Sequence, residues 1–273
     1  MIIDGHRHIV DDAAHILAQM DALGIQHTVL IGIGVRDLRV VTVRDTPLFR
    51  SHLLLKTIGM WKARRLVASR ELRDNLLLQP RNDAVLRAIH EHPDRFSGFC
   101  FVNPEDSGAT AEFNRCLDAG MCGLKLALLQ YPTDLNGPPM ASLCEIAEAR
   151  HVPIFIHLGI TPSSSDLSAL VHRFDTAQFI VAHMGVQCFW EVQNLARSCR
   201  NIFLDTSSYI ATRSKIQQAC RTVGPRRILF GTDLPVMCRD PRDAIAKIVS
   251  LQLADADKQA ILGGNLRELL HLP

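Results

Sequence analysis

The chain has 273 residues, 47% of them hydrophobic, and its 30 basic and 28 acidic side chains leave a formal charge of +2. That balance gives no global ground for nucleic-acid or membrane-surface binding, and no apolar run approaches the ~18 residues of a membrane span. The eight cysteines form no Cys-x-x-Cys pair, and a chain this long needs no disulfide staples; they read as reduced thiols of a cytoplasmic protein. The first candidate site residue is number 6, which leaves no room for a cleavable leader.

The chain opens on Met1-Ile-Ile-Asp-Gly-His-Arg-His8. In a strand of period two, Asp4, His6 and His8 share one face and Ile3, Gly5 and Arg7 the other. Two imidazoles side by side at a strand end suit a transition-metal ion. From there, period and punctuation predict strands over 2–8, 27–33, 97–103, 122–128, 153–158, 179–183, 202–205 and 228–233. Helices are predicted between them over 11–23, 82–92, 107–119, 140–151, 165–173, 187–199, 212–222 and 241–251, with a last one over 256–271. Asp106-Ser107 and Asp240-Pro241 read as helix starts, and Gly24, Gly120 and Gly224 as left-handed helix ends.

Eight such units predict a parallel sheet closed into a (β/α)8 TIM barrel, one domain spanning 1–273. A doubly wound open sheet is the alternative. Ile31-Gly-Ile-Gly34 supports it weakly, because no third glycine and no short turn into a helix follow, and reads instead as a flexible exit from strand two.

Residues 34–80 break the rhythm and predict an insertion after strand two, helical over about 47–77, lying as a lid over the barrel mouth. From Arg36 to Arg87 there are 12 basic and five acidic residues. Such a segment would attract an anionic small molecule; an ordinary solvated surface or an oligomer contact explains the same composition.

Strand ends carry the remaining signal. Pro153-Ile-Phe-Ile-His157 and Phe179-Ile-Val-Ala-His183 end in histidine, and Arg227-Ile-Leu-Phe-Gly-Thr-Asp233 ends in aspartate. In a closed parallel barrel these ends face one mouth, so residues distant in sequence converge there. Lys125 faces inward on strand four with Gly123 and Ala127, while Leu124, Leu126 and Leu128 pack under helices. Asn103 and Asp205 end strands three and seven as loop braces or pocket lining. Tyr209, Trp190 and Trp61 are candidate pocket walls. The other eight histidines read as non-ligands.

Ile3-Asp-Gly-His-Arg-His8, Phe99-Cys-Phe-Val-Asn-Pro104, Gly123-Leu-Lys-Leu126, Pro153-Ile-Phe-Ile-His157, Ala182-His-Met-Gly185, Leu204-Asp-Thr-Ser207, Phe230-Gly-Thr-Asp-Leu-Pro235 and Gly264-Asn265 stand in an order that resembles the amidohydrolase-related family of the metal-dependent amidohydrolase superfamily. The likeness is to the branch of aminocarboxymuconate-semialdehyde decarboxylase. It implies that His6, His8, His157 and Asp233 hold one divalent metal ion, zinc by preference, with manganese or iron(II) as alternatives. It further implies that His183 is a general acid/base or electrophile and that Asp233 takes a proton from water. Lys125 is left between a carboxylated bridge, a contact to a substrate carboxylate and a structural ion pair.

The activity so implied is hydrolysis of an ester, lactone or amide in a small anionic molecule. Non-oxidative decarboxylation on the same site is the alternative, and a TatD-type nuclease a further one, opposed by Lys125 standing where that group has glutamate. A non-catalytic binding protein is opposed by the retention of all five site residues. The resemblance also extends to a homodimer, with no nucleic-acid or membrane partner.

Overall fold

The computed structural model describes residues 1–10, 12–42, 46, 50–160 and 164–272. Eight parallel strands follow one another around a nearly closed barrel: β1 (Ile2–His8), β2 (Ile25–Ile31), β3 (Phe96–Phe101), β4 (Leu124–Ala127), β5 (Ile154–His157), β6 (Phe179–Val181), β7 (Ile202–Asp205) and β8 (Ile228–Leu229). Parallel neighbours cannot be joined by a tight turn, so a helix crosses back over the outside between most of them. Closure falls to the chain beyond β8: Gly5 N donates to Phe230 O (3.0 Å), Asp233 N to His6 O (2.6 Å) and His8 N to Leu234 O (2.8 Å).

Alternation along the strands divides the core. Leu124, Leu126, Ile154 and Ile156 pack outward in the main apolar layer with the helices. Phe99, Phe101, Ala127, Phe155, Ile180 and Ala182 fill a separate cluster. That second set is the barrel interior, and buried Lys125 stands among it with its ammonium 4.2 Å from the Phe155 ring centroid. The expected caps form at the helices Ala13–Leu23 and Pro241–Val249, where Asp12 accepts from His15 N and Asp240 from Arg242 N. Gly24, Gly120 and Gly224 all take positive φ. The helix expected from Asp106 begins at Ala109, because Asp106 spends its side chain on Gly108 N (2.7 Å) in a preceding turn.

The insertion between β2 and β3 is pinned at its base. Val35 and Leu76 form an antiparallel bridge, Arg36 N donates to Asn75 O (2.8 Å), and Leu77 N donates to Gly34 O (3.0 Å). The returning backbone at Arg81 comes so close to Gly32 that a Cβ there would collide with its carbonyl. Gly32 therefore serves a close crossing of two chain segments, where the sequence suggested a flexible exit.

Helical structure follows over His52–Leu54, a π turn over Leu55–Gly59, then Met60–Ala68 and Arg70–Asn75. Phe49, part of the expected helical pattern, lies outside the described residues. Leu55 is buried with Val186, Ile210 and Met237, which follow β6, β7 and β8. Leu53, Ile58 and Trp61 face outward. No helix among the described residues is long and apolar enough to cross a membrane.

Candidate metal centre

The site grows from an irregularity in β1. Between Asp4 and Arg7 the chain advances three residues while β2 advances two, from Thr28 to Leu30. The extra residue breaks strict alternation. Ile3 thereby joins the interior cluster. Asp4, expected beside the histidines, is committed elsewhere: its carboxylate accepts from Thr232 N (2.9 Å), Thr232 Oγ1 (2.7 Å) and His6 N (3.1 Å). Burial pushes its pKa up to about 6, and those hydrogen bonds oppose the rise. Asp4 thus ties β1 to the residue just before Asp233.

His6 and His8 both remain directed at Asp233. Each Nε2 lies 3.5 Å from Asp233 Oδ1, and the donor atoms of the three residues all lie within 4.8 Å of one another. Asp233 sits at φ 63°, a left-handed conformation that costs a non-glycine residue free energy and is held by the Asp233–His6 backbone bond. Gly231 makes room for this approach, since a Cβ there would stand 2.5 Å from Asp205 Oδ1 and 2.8 Å from His6 Cβ.

The opposite edge of each imidazole is fixed. His8 Nδ1 lies 2.9 Å from Gly32 O, a pure acceptor, so Nδ1 carries the proton and Nε2 keeps its lone pair. His6 Nδ1 lies 2.9 Å from Ser207 Oγ and 3.3 Å from Asp205 Oδ2. Ser207 Oγ donates to Asp205 and accepts from the ring nitrogens, because His183 Nδ1 stands at 2.9 Å from the same hydroxyl. One carboxylate and one hydroxyl therefore set the tautomer of His6 and His183 together. This leaves both Nε2 atoms facing Asp233, with His183 Nε2 3.6 Å from Oδ2. His183 also has left-handed backbone (φ 51°), and its own N–H donates to Asp205 Oδ2 (3.1 Å).

His157 lies at the edge of this arrangement. Its ring stands edge-on to His183 with centroids 4.8 Å apart, but among the described residues its nitrogens fall outside both close groups, His6–His8–Asp233 and His6–His183–Asp205. Lys125 Nζ donates to His6 Nε2 (3.1 Å), the lone pair that a cation on His6 would need.

Burial dominates the protonation states. It pulls His8 and His157 down to about 3 and His6 and His183 well below the usual imidazole range, with the Lys125 charge adding to the effect. It lowers Lys125 to about 8 against the pull of Asp233 and Asp205. It raises Asp233 well above the ordinary carboxylate value. Neutral imidazoles with lone pairs turned inward and a carboxylate that gains by meeting a cation are the donor set that Zn²⁺, Mn²⁺ or Fe²⁺ takes. The residues present fit such an ion, provided Lys125 gives up its bond to His6.

Asp205 and Ser207 are the members that sequence reasoning undervalued. The sequence offers Asp205 as a loop brace or pocket lining and Ser207 only as part of a motif. The polar run Asp205-Thr-Ser-Ser208 straight after an apolar strand was the available signal. A second cluster of metal-type donors, Cys100, Glu112 and Cys116, lies among the outward-packed residues. There Glu112 is held by Arg115 (2.7 Å) and Asn82 (2.9 Å), and burial raises the Cys100 thiol.

The family model described as Amidohydrolase matches residues 3–272. No curated protein matches the chain. Among solved structures, 5-carboxyvanillate decarboxylase from Sphingomonas paucimobilis is similar at 16% identity and a TM-score of 0.68, over 100% of this chain and 99% of that one. A probable 2-pyrone-4,6-dicarboxylic acid hydrolase from Acinetobacter baumannii, with citric acid bound, is similar at 16% and 0.68 over 99% of each chain. A dihydroxybenzoic acid decarboxylase from Polaromonas, with manganese and the inhibitor 2-nitroresorcinol bound, is similar at 18% and 0.67 over 99% of this chain and 97% of that one.

Proposed function

The chain belongs to the amidohydrolase family, and from that premise we propose a metal-dependent hydrolase that opens an ester, lactone or amide bond in a small carboxylated molecule. The observation that carries this reading is the convergence of His6 and His8 on one oxygen of Asp233 while His183 faces the other. His6, His8, His157 and Asp233 are assigned as holders of one divalent ion, zinc by preference; iron(II) and manganese suit the same donors, and manganese is bound in the Polaromonas enzyme. Such an ion supplies an acidified water and a polarised carbonyl.

His183 is assigned the proton transfer to the leaving group, since Ser207 and Asp205 align its ring and burial keeps it neutral. Asp233 is assigned uptake of the proton from water. Its burial already favours the protonated form. Lys125 is assigned the substrate's carboxylate: once His6 is engaged elsewhere, the buried ammonium is released from that partner. The insertion is assigned the part of a lid, supported by the burial of Leu55 against residues after β6, β7 and β8.

Non-oxidative decarboxylation is the second reading, favoured by the two decarboxylases among the similar structures. Protein loaded with zinc or manganese is to be tested on aryl lactones and aromatic carboxylates. Ring opening with uptake of water is expected, and CO2 release without it overturns hydrolysis in favour of decarboxylation. His6→Ala and His157→Ala are expected to lower bound metal from about one ion per chain. Unchanged content by elemental analysis removes the residue from the ligand set.

A further inference from the structure

β3 turns Phe99 and Phe101 into the barrel interior and Cys100 out of it, into the apolar layer shared with the helices. On the helix Ala109–Asp118, Glu112 and Cys116 stand four residues apart and so share one face. Cys100 and Cys116 are fully buried, and one donor atom from each of the three residues lies within 4.8 Å of the other two. Both thiols belong to the outer layer, whereas the barrel centre gathers on the inner side of the strands.

Two thiols alone would be ordinary core filling. The polar groups around them are not. Cys116 Sγ donates to Glu112 Oε1 (3.4 Å). Asn82, fixed to β3 by accepting from Phe101 N (2.9 Å), donates from Nδ2 to Glu112 Oε1 (2.9 Å) and to Cys100 Sγ (3.7 Å). Arg115 Nη2 donates to the same carboxylate oxygen (2.8 Å) and to Cys116 Sγ (3.9 Å). Each sulfur thus faces an N–H, a partner from which a thiolate gains far more than a thiol. The spacing also suits coordination. A sulfur and an oxygen bound to one tetrahedral zinc ion stand roughly 3.6 Å apart, given bond lengths of ~2.3 and ~2.1 Å.

Charge selects the class of ion. Glu112 and Arg115 cancel, and Asp83, the other partner of Arg115, is exposed to water. Two thiolates then leave two negative charges in the layer, which a divalent cation neutralises and a monovalent one does not. The Glu112 side chain is 16% exposed, so an ion has a path in from solvent.

We propose that Cys100, Cys116 and Glu112 form a second metal site, separate from the barrel centre, which takes a divalent thiophilic ion of the zinc class and fastens β3 to the helix Ala109–Asp118. Uptake breaks both S–H bonds, forms two S–metal bonds and releases two protons to water. Glu112 supplies one oxygen, and a water entering beside it completes four-coordination. Burial holds the Cys100 thiol well above its ordinary pKa, so affinity rises with pH.

The test is titration of the reduced, metal-free full chain with Cd²⁺ and Co²⁺, read by the thiolate-to-metal charge-transfer band in the near ultraviolet. Imidazole and carboxylate donors give no such band, so the barrel centre is silent in it. One ion per chain is expected to carry the band, in addition to any ion at the centre. His6→Ala is expected to keep it and Cys116→Ala to lose it. Glu112→Gln retains both thiols and is expected to weaken Cd²⁺ binding at least about tenfold. The wild-type titration and Glu112→Gln decide the matter even if Cys116→Ala does not fold. No band in the folded wild type, a band that survives in Cys116→Ala, a band lost with His6→Ala, or unchanged Cd²⁺ affinity in Glu112→Gln overturns the site. Failure of the hydrolase reading leaves the band untouched, since it shows in turnover and in the metal lost with His6→Ala.

Discussion

The seam where β1 meets the chain beyond β8 and the insertion between β2 and β3 stand at the same end of the barrel and are built in opposite ways. At the seam buried polar groups are tied to one another across the strands. Asp4 is bonded to Thr232, Asp233 N to His6 O, and His6 and His183 to Ser207. All of these residues are buried. The insertion is fixed at its base, keeps Leu55 inside, and turns Leu53, Ile58 and Trp61 to the outside. Groups that must meet within a few tenths of an ångström gain from strands locked by a ladder of hydrogen bonds, while a segment held by few buried contacts can open at low free-energy cost. Under the proposed function, chemistry and access fall to different parts of the molecule, and each is expected to be disturbed without the other.

The largest separation of the two is expected from His183→Asn. The amide keeps the size of the imidazole and part of its hydrogen bonding but cannot exchange a proton near neutral pH. Turnover is expected to fall by roughly 10³-fold, within the range for loss of a general acid/base. Bound metal should stay unchanged, because His6, His8 and Asp233 are intact. Loss of metal with turnover would make His183 a ligand and erase the division of labour at the seam.

Leu55→Ala strikes the other side. Leu55 is 3% exposed and packs on Val186, Ile210 and Met237. Truncating a buried leucine costs about 2–5 kcal/mol, and here the loss falls on the contact between insertion and barrel. Hydrogen exchange over 50–76 is expected to accelerate while the strands keep their protection, with KM rising and metal content unchanged. An equal loss of protection in β1 and β8 would show that insertion and barrel unfold as one unit.

The contrast also marks what the sequence could and could not disclose. Period-two alternation placed Lys125 inward and Leu124 and Leu126 outward, because a single β-strand face is a local property. His157 ends β5 as the strand pattern implies, whereas His183 and Asp233, expected at strand ends, lie past β6 (Phe179–Val181) and β8 (Ile228–Leu229) with left-handed backbone that period-two alternation does not foresee. Asp4 was misplaced because the extra residue in β1 leaves no composition cue, only a shift against β2. The role of Ser207 was hidden because it depends on His6 and His183 arriving from 201 and 24 residues away. The glycines at 32 and 34 read as a loop exit, since the crowding of Gly32 by Arg81 exists only after the insertion has returned, and that of Gly34 by Gln130 only after the chain beyond β4 has come in.

The smallest effect sharpens the comparison from the insertion's outer edge. Lys56 Nζ lies 2.8 Å from Glu191 Oε1, an ion pair joining the insertion to the helix after β6. Both side chains are about two-fifths exposed, at 42% and 40%, so water and salt screen the pair. Exposed pairs of this kind contribute about 0.2–1 kcal/mol. Lys56→Met is therefore expected to shift hydrogen exchange in the insertion slightly at low salt and not at all at high salt. The distinction from Leu55→Ala is one of mechanism as well as size, because burial of an apolar side chain does not fade with ionic strength. A salt-independent loss at Lys56 as large as that at Leu55 would mean that its methylene stem, packed on the barrel, holds the insertion and the charge does not.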